Sequence, residues 1–403
     1  MKKPLQEEDI QRLRAETKGT QHVIHFNNAG AALMPDAVSQ AVIEYIQAES
    51  RKGGYETARH YRRELGLWYD YASQMIGSHP EEVVFMESAT TAWHAVFQSI
   101  SFQPGDEIIT SMAEYASNYI AFLRRQKETG FKIRVVPNDE HGRFSTAGLK
   151  ELINEKTRLI ALTHMPTNGG LVNPAEEVGD IAREHNILYL LDACQSLGQY
   201  PLDVKKLKCD YLSATGRKYL RAPRGTGLLY VRKDILPEAD PLVIDLHGAS
   251  WKSDKHYEPV PNAKRFETFE HSFASMFGMQ VAMKYALDIG MEAIWQRVQF
   301  IANQLRAGLD AIPGVKTYDL GKEKSGIVTF YADAADARTL IPRIGKQGFN
   351  VSLVFRDGTL LDMDDRKLPE MIRASVHYYN TGEEIECFVT KLETLLSEFK
   401  TVS

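Results

Sequence analysis

From about residue 80 the chain alternates short apolar runs with longer amphipathic stretches, the pattern of strands joined by helices in an α/β domain. Apolar runs at 83–86, 107–110, 133–136, 159–162 and 187–191 are too short for buried helices and predict strands. Before the last of these, Asn173-Pro174-Ala175-Glu176 predicts a helix start, with Asn173 as the cap and Pro174 in the first turn; the helix runs to about Glu184. Two more strands are predicted at 211–214 and 227–231, enclosing a loop rich in Arg, Gly and Pro at 215–226. The stretch 247–271, with Trp251, Pro259 and Pro261, is polar and irregular and reads as a passage between domains.

A long helical pattern follows from about 275 to 309, and then a second alternation with strands at 327–330, 351–354 and 374–376. Thr381 and Glu384 form a capping box for a last helix that carries Ile385, Phe388, Leu392 and Leu396 on one face. The expected layout is an N-terminal segment at 1–25, a large domain with a mostly parallel sheet between helices at 26–260, and a smaller α/β domain at 261–403. Residues near the N-terminus are expected to pack on the smaller domain.

Composition narrows the function classes. The chain has 403 residues, 43% hydrophobic and 25% charged, enough for two buried cores. A net charge of −5 offers no broad attraction for nucleic acid or an anionic membrane, so a small molecule is the expected partner. The start, Met1-Lys2-Lys3-Pro4 followed by Gln6, Glu7, Glu8 and Asp9, lacks a signal-like apolar stretch. No later run reaches the ~20 apolar residues of a membrane span, and a cytoplasmic location is expected. Cys194, Cys209 and Cys387 are too few and too far apart for a disulfide framework. Cys194 and Cys209 read as reduced packing residues, and Cys387 falls in the last helix. The twelve histidines include no HExxH, so no metal site is expected.

The stretch 192–227, DACQSLGQYPLDVKKLKCDYLSATGRKYLRAPRGTG, carries the candidate chemistry. It places an aspartate at the end of an apolar strand and a lysine in a glycine-bordered loop after a later strand. Pyridoxal 5′-phosphate (PLP) chemistry needs both. The Asp192 carboxylate can hold the pyridine nitrogen protonated, and Lys218 can carry the cofactor as a Schiff base and then move the substrate Cα proton. Burial and a neighbouring cation such as Arg217 would depress the lysine pKa toward that task. Neither nucleotide-binding fingerprint, GxGxxG after the first strand or GxxxxGK followed by Ser or Thr, is present.

At these residues the chain resembles the class V aminotransferases, the group that contains cysteine desulfurases, selenocysteine lyases, isopenicillin N epimerase and ergothioneine-pathway C–S lyases. The resemblance runs from Phe26-Asn27-Asn28-Ala29-Gly30 to the stretch 373–380, RASVHYYN, and is most specific in TGRKYLRAPRGTGLLYV. It implies a fold-type-I PLP-dependent transferase, acting on an amino acid as a homodimer. By the same resemblance Ala89 and Thr90, in ESATT, bind the phosphate at a helix start, a role that free N–H groups there suit. Thr215 and Arg217 are implied to contact the phosphate, although the family more often has histidine at the second position. Tyr115 would lie over the cofactor ring, and Gln195 with Thr167 or Asn168 would approach its phenolic oxygen. Arg373 would grip the substrate α-carboxylate with its planar fork, and Asn28 would also face the substrate.

The resemblance departs from the desulfurases at two places. Their persulfide-forming cysteine stands on a loop before the carboxylate-binding arginine, and 355–365, FRDGTLLDMDD, contains none. Where relatives continue into a Gly-Thr pair that reaches across the dimer, this chain has Phe269 and Glu270, leaving Thr268, Ser272 or Ser275 as replacements. The expected reaction is C–S cleavage by β-elimination. Transamination and Cα epimerisation use the same residues, and a non-catalytic binding protein on the same fold is the reading outside enzymology.

Overall fold

The computed structural model describes residues 4–400. A seven-stranded sheet forms the large layer, from β1 (Val83–Met86), β2 (Glu107–Ser111), β3 (Lys132–Val136), β4 (Thr157–Thr163), β5 (Leu188–Asp192), β6 (Tyr211–Thr215) and β7 (Gly227–Val231). Its order is β1-β7-β6-β5-β4-β2-β3. The pairs β2–β3, β2–β4, β4–β5 and β5–β6 are parallel, while β7 runs antiparallel to both β1 and β6. Helices cover both faces, so most strand positions are buried and the strands read as continuous apolar runs.

A second, four-stranded antiparallel sheet is built from β8 (Val315–Thr317), β9 (Ile327–Ala332), β10 (Ser352–Val354) and β11 (Met371–Ser375), in the order β8-β9-β11-β10. Its core includes Phe330, Ile372, Phe388 and Leu392, and also Phe26 from the beginning of the chain. Ile24 and His25 pair in parallel with Phe349 and Asn350, which anchors the N-terminal segment on this layer.

The helical pattern at 275–309 is two helices, Phe273–Ile289 and Met291–Asp310, separated by Gly290 at φ 102°. Met276, Met279, Met283, Ile294 and Val298 join the core of the large sheet, whereas Ile301, Leu305 and Leu309 join the second core. Packing therefore changes hands within the second helix, between Val298 and Ile301, and not near 260/261. The polar stretch 247–271 contains an exposed hairpin of Ala249–Ser253 and His256–Pro259.

The cap predicted at Asn173 does not form. The helix is Ala175–Glu184 with Pro174 at the cap, and the Asn173 carboxamide accepts from Phe144 N–H at 3.0 Å and donates to the Thr163 carbonyl at 2.8 Å. A buried side chain with two tertiary partners is worth more there than a local cap. The box at Thr381 and Glu384 does form, with both reciprocal bonds at 3.2 Å.

Candidate active site

The parallel strands end along one edge, and their carboxyl ends deliver the candidate residues to one cavity, as expected of ligand sites in open α/β sheets. After β2 come Tyr115 and Asn118, after β4 Met165 and Thr167, at and after β5 Asp192, Cys194 and Gln195, and after β6 Arg217 and Lys218. Ser88, Ala89 and Thr90 close one end. Of the residues singled out by sequence, Ala89, Thr90, Tyr115, Thr167, Asp192, Gln195, Thr215, Arg217 and Lys218 all line it.

At the closed end, Ser88 caps the helix Ala89–Ser99, its hydroxyl accepting from Thr91 N–H at 3.0 Å. The N–H groups of Ala89 and Thr90 have no acceptor among the described residues, and together with the helix dipole they make an anion seat. The helix is held by Trp93, Val96 and Phe97, all buried. Strand β7 approaches this turn so closely that a Cβ on Gly227 would lie 2.6 Å from the Ser88 carbonyl carbon, so only glycine fits. Thr215 Oγ1 is bound to the Thr226 carbonyl at 3.2 Å, and Arg217 donates to the Gly30 carbonyl while still facing the cavity.

At the other end Asp192 is buried, 5% exposed. Its Oδ1 accepts from Cys194 N–H at 2.8 Å and its Oδ2 from Asn118 Nδ2 at 2.9 Å. It forms no ion pair among the described residues. Burial pushes its carboxyl up; Asn118, the Cys194 N–H and, last, the charge of Lys218 pull it down. A buried carboxylate that lines a cavity and has no ion-pair partner is a seat for a ligand cation.

Lys218 lines the same cavity and is 7% exposed. Burial lowers its pKa, Arg217 and Arg373 add to the lowering, and Cys194 and Asp192 oppose it. Its loop is clamped from below by the turn after Asp192, where Gly198 (φ 94°) would place a Cβ 2.2 Å from the Leu220 backbone nitrogen. Gln195 Nε2 bonds the Ala29 carbonyl at 3.2 Å, and its Oε1 is buried without a partner.

Two assignments are corrected. Asn28 does not face the cavity: its Nδ2 donates to the Ser375 carbonyl at 2.8 Å and the His25 carbonyl at 3.2 Å, and its Oδ1 accepts from Tyr379 Oη at 2.5 Å. Every polar atom of the side chain is spent tying the N-terminal segment to 375–379, and the neighbouring Asn27 is the one that reaches Arg373, at 3.4 Å. Asn168 turns away as well, donating to the Phe355 carbonyl at 3.0 Å and Thr359 Oγ1 at 3.1 Å. Arg373 stands one residue behind the wall, bound to Thr167, with its Nε buried and unpartnered.

Sequence reasoning missed Asn118, Glu114 and the place of Cys194. Cys194 lines the cavity beside Lys218, whereas Cys209 is packed in the core. The spacing of Glu114 and Asn118 at the start of the helix Ala116–Thr129 was the available signal, but two polar residues four apart are more often a solvated helix face. Thr268, Ser272 and Ser275 are engaged locally, Thr268 with the Glu270 carbonyl at 3.3 Å and Ser272 as the cap of the following helix.

Around one cavity the donor set therefore has an anion seat, a cation seat, a buried amine and an unpartnered amide oxygen, which suits the chemistry of PLP. The family model for class-V aminotransferases matches residues 24–388. The chain belongs to the class-V aminotransferase family. A probable cysteine desulfurase of Methanothermobacter thermautotrophicus is 28% identical over 381 residues, covering 92% of this chain and 94% of the relative. One of Synechocystis is 28% identical over 390 residues, covering 94% and 92%. Among solved structures, the apo cysteine desulfurase of Thermococcus onnurineus superposes with a TM-score of 0.91 at 24% identity, over 99% of this chain and all of the other. The cystine C–S lyase C-DES gives 0.85 at 23% identity, over 94% and 99%. This class-V enzyme has the fold-type-I transferase architecture and uses pyridoxal 5′-phosphate.

Proposed function

We propose that this class-V enzyme cleaves the carbon–sulfur bond of an amino acid by β-elimination, without a persulfide on a cysteine of its own. The observation that carries the reading is the segment 355–365. It has no thiol, and it is folded as Arg356–Thr359 and Leu360–Asp365, pinned by Arg356 on Asp364 at 2.6 and 2.7 Å and by Asn168. Cys387 lies on the C-terminal helix. Cys194 faces the cavity, but burial pushes its thiol up, away from a nucleophilic thiolate.

In this reading Ala89 and Thr90 N–H groups, with Thr215 and Arg217, hold the cofactor phosphate, Tyr115 covers the ring, and Gln195 meets its phenolic oxygen. Asp192 keeps the pyridine nitrogen protonated. Bound PLP supplies an electron sink for the pair left at the substrate Cα. Arg373 receives the α-carboxylate, exchanging its bonds to Thr167 for a fork–fork pair. Lys218 takes the Cα proton at Nζ, a task that its lowered pKa favours. The Cβ–S bond breaks with its electron pair on sulfur. From an S-substituted cysteine and one water the products are a thiol, pyruvate and ammonia, with no oxidant or reductant consumed.

The test begins with the visible absorption of PLP-loaded protein, before and after borohydride, beside Lys218→Ala. A band that borohydride abolishes and the variant lacks supports the lysine linkage. L-cysteine, L-cystine and S-conjugates are then assayed: pyruvate with ammonia, and no keto-acid requirement, is the expected result. Alanine as the product would overturn elimination in favour of desulfuration, and dependence on an added keto acid would indicate transamination.

A homodimer acting in the cytoplasm belongs to the same reading. It is supported by the exposed Leu242 and Val243 beside the anion-seat helix, by the exposed Leu246 and Trp251 further along the same stretch of chain, and by the three free cysteines. Sedimentation at twice the chain mass is the expected outcome.

A further inference from the structure

Glu114 is buried, 4% exposed, and does not line the cavity. Its Oε1 accepts from the Thr163 hydroxyl at 2.5 Å, from Asn118 Nδ2 at 2.9 Å and from the Tyr115 N–H at 2.9 Å; its Oε2 meets the Thr110 hydroxyl at 2.8 Å. The other proton of Asn118 Nδ2 goes to Asp192 Oδ2 at 2.9 Å. One amide nitrogen has two protons, and both are committed, one to each carboxyl group. The amide therefore cannot turn without releasing Asp192 or Glu114. Thr163 is also the sheet neighbour of Asp192 across β4–β5, so Glu114 is braced against both the strand beside Asp192 and the amide that holds it.

We propose that Glu114 is the positioning residue that sets Asp192 toward the pyridine nitrogen of the cofactor, acting through Asn118 and touching neither cofactor nor substrate. The inference rests on the role given to Asp192 above.

Burial raises the Glu114 pKa, the charge of Asp192 raises it further, and the bonds from Thr163, Asn118 and Thr110 oppose the rise. Among the described residues Glu114 forms no ion pair, and each of its four hydrogen bonds is an accepted one. Oε2 accepts from the Thr110 hydroxyl, and Oε1 is the acceptor shared by Thr163, Asn118 and the Tyr115 N–H. Glutamine keeps an acceptor oxygen where Oε1 stands, for Asn118, Thr163 and the Tyr115 N–H, and its NH₂ can donate to the Thr110 hydroxyl oxygen in place of the bond that Oε2 accepts.

The experiment uses the PLP-loaded enzyme and two readouts other than turnover: cofactor affinity by equilibrium dialysis, and the pH at which the visible band of the lysine-linked cofactor titrates. Glu114→Gln is expected to stay within about twofold of wild type in affinity, because its bonds are conserved. Glu114→Ala is expected to weaken affinity by about tenfold, the value of one lost bond to a charged group, and to shift the titration. Thr110→Val, a near-isosteric change away from the cavity, is expected to shift both readouts the same way by a smaller factor, and it serves if Glu114→Ala does not fold.

The proposal is overturned if Glu114→Gln loses as much as Glu114→Ala, since the acceptor at Oε1 is then not what holds Asn118 on Asp192. It is also overturned if the folded variants all keep wild-type affinity and titration. A wild type without a borohydride-sensitive band would remove the Lys218 and Asp192 reading, and this inference with it. A normal wild-type band with unmoved variants would remove this inference alone.

Discussion

Arg373 donates from Nη1 to the Thr167 hydroxyl at 2.8 Å and to its carbonyl at 3.1 Å, so the guanidinium is held in a fixed orientation directly behind the Thr167 that lines the cavity. Its buried Nε has no partner. The arrangement costs free energy in the free enzyme and leaves a charged donor ready for an anionic ligand.

Arg373→Lys should therefore lower kcat/KM by roughly tenfold to a hundredfold, the loss of one or two charge-assisted bonds, with most of the change in KM. Steady-state kinetics on an α-amino acid and on its amide, which lacks the carboxylate, check this. The wild-type preference for the acid should shrink in the variant.

The Lys218 amine has a folded-state pKa below its ordinary 10.5, mainly through burial. Its charged form is therefore penalised in the fold at pH values below the lowered pKa, and the penalty fades as pH rises toward 10.5. Cofactor-free Lys218→Met should accordingly be more stable than cofactor-free wild type at neutral pH, with the advantage closing above pH 10. Denaturant midpoints across this range provide the measurement, and a constant difference would contradict it.

Arg306 and Asp319 form a buried pair at 2.8 Å, 8% and 0% exposed. Arg306 also donates to the Ser325 and Ile327 carbonyls, and Asp319 accepts from Gly170 and Thr329 N–H. The pair thus ties the loop after Thr167 to the second sheet. Asp319→Ala should cost about 3–5 kcal/mol, because it leaves a buried cation uncompensated, and should also raise KM through the displaced Thr167. Urea unfolding and kinetics on the same preparation test both effects.

Gly198→Ala should release the cofactor. An added Cβ at φ 94° meets the Leu220 backbone at 2.2 Å and must move either the turn after Asp192 or the lysine loop. Loss of borohydride-trapped PLP with near-native far-ultraviolet circular dichroism is the expected result, whereas full retention would show that the loop can yield.

Much of this architecture was legible because its causes are local. Apolar runs such as 159–162 and 227–231 bury both faces of central strands, so composition over a few residues suffices. Asp192 and Lys218 were legible because each sits at a change of local pattern, a strand end and a glycine-bordered loop. Thr381 and Glu384 close their box within four residues. The break at Gly290 was hidden because helical period continues on both sides of it.

The direction of each polar side chain was decided only in three dimensions. Asn28 and Asn168 stand in the expected stretches, but their amides answer to Tyr379 and Thr359, partners 351 and 191 residues away. Glu114 reaches Asp192 through one amide, an arrangement created when β2 and β5 take places on either side of β4. Backbone period depends on adjacent residues and can be read along the chain. A hydrogen bond depends on which donor the fold brings within about 3 Å, and that distance exists only once the strands have found their order.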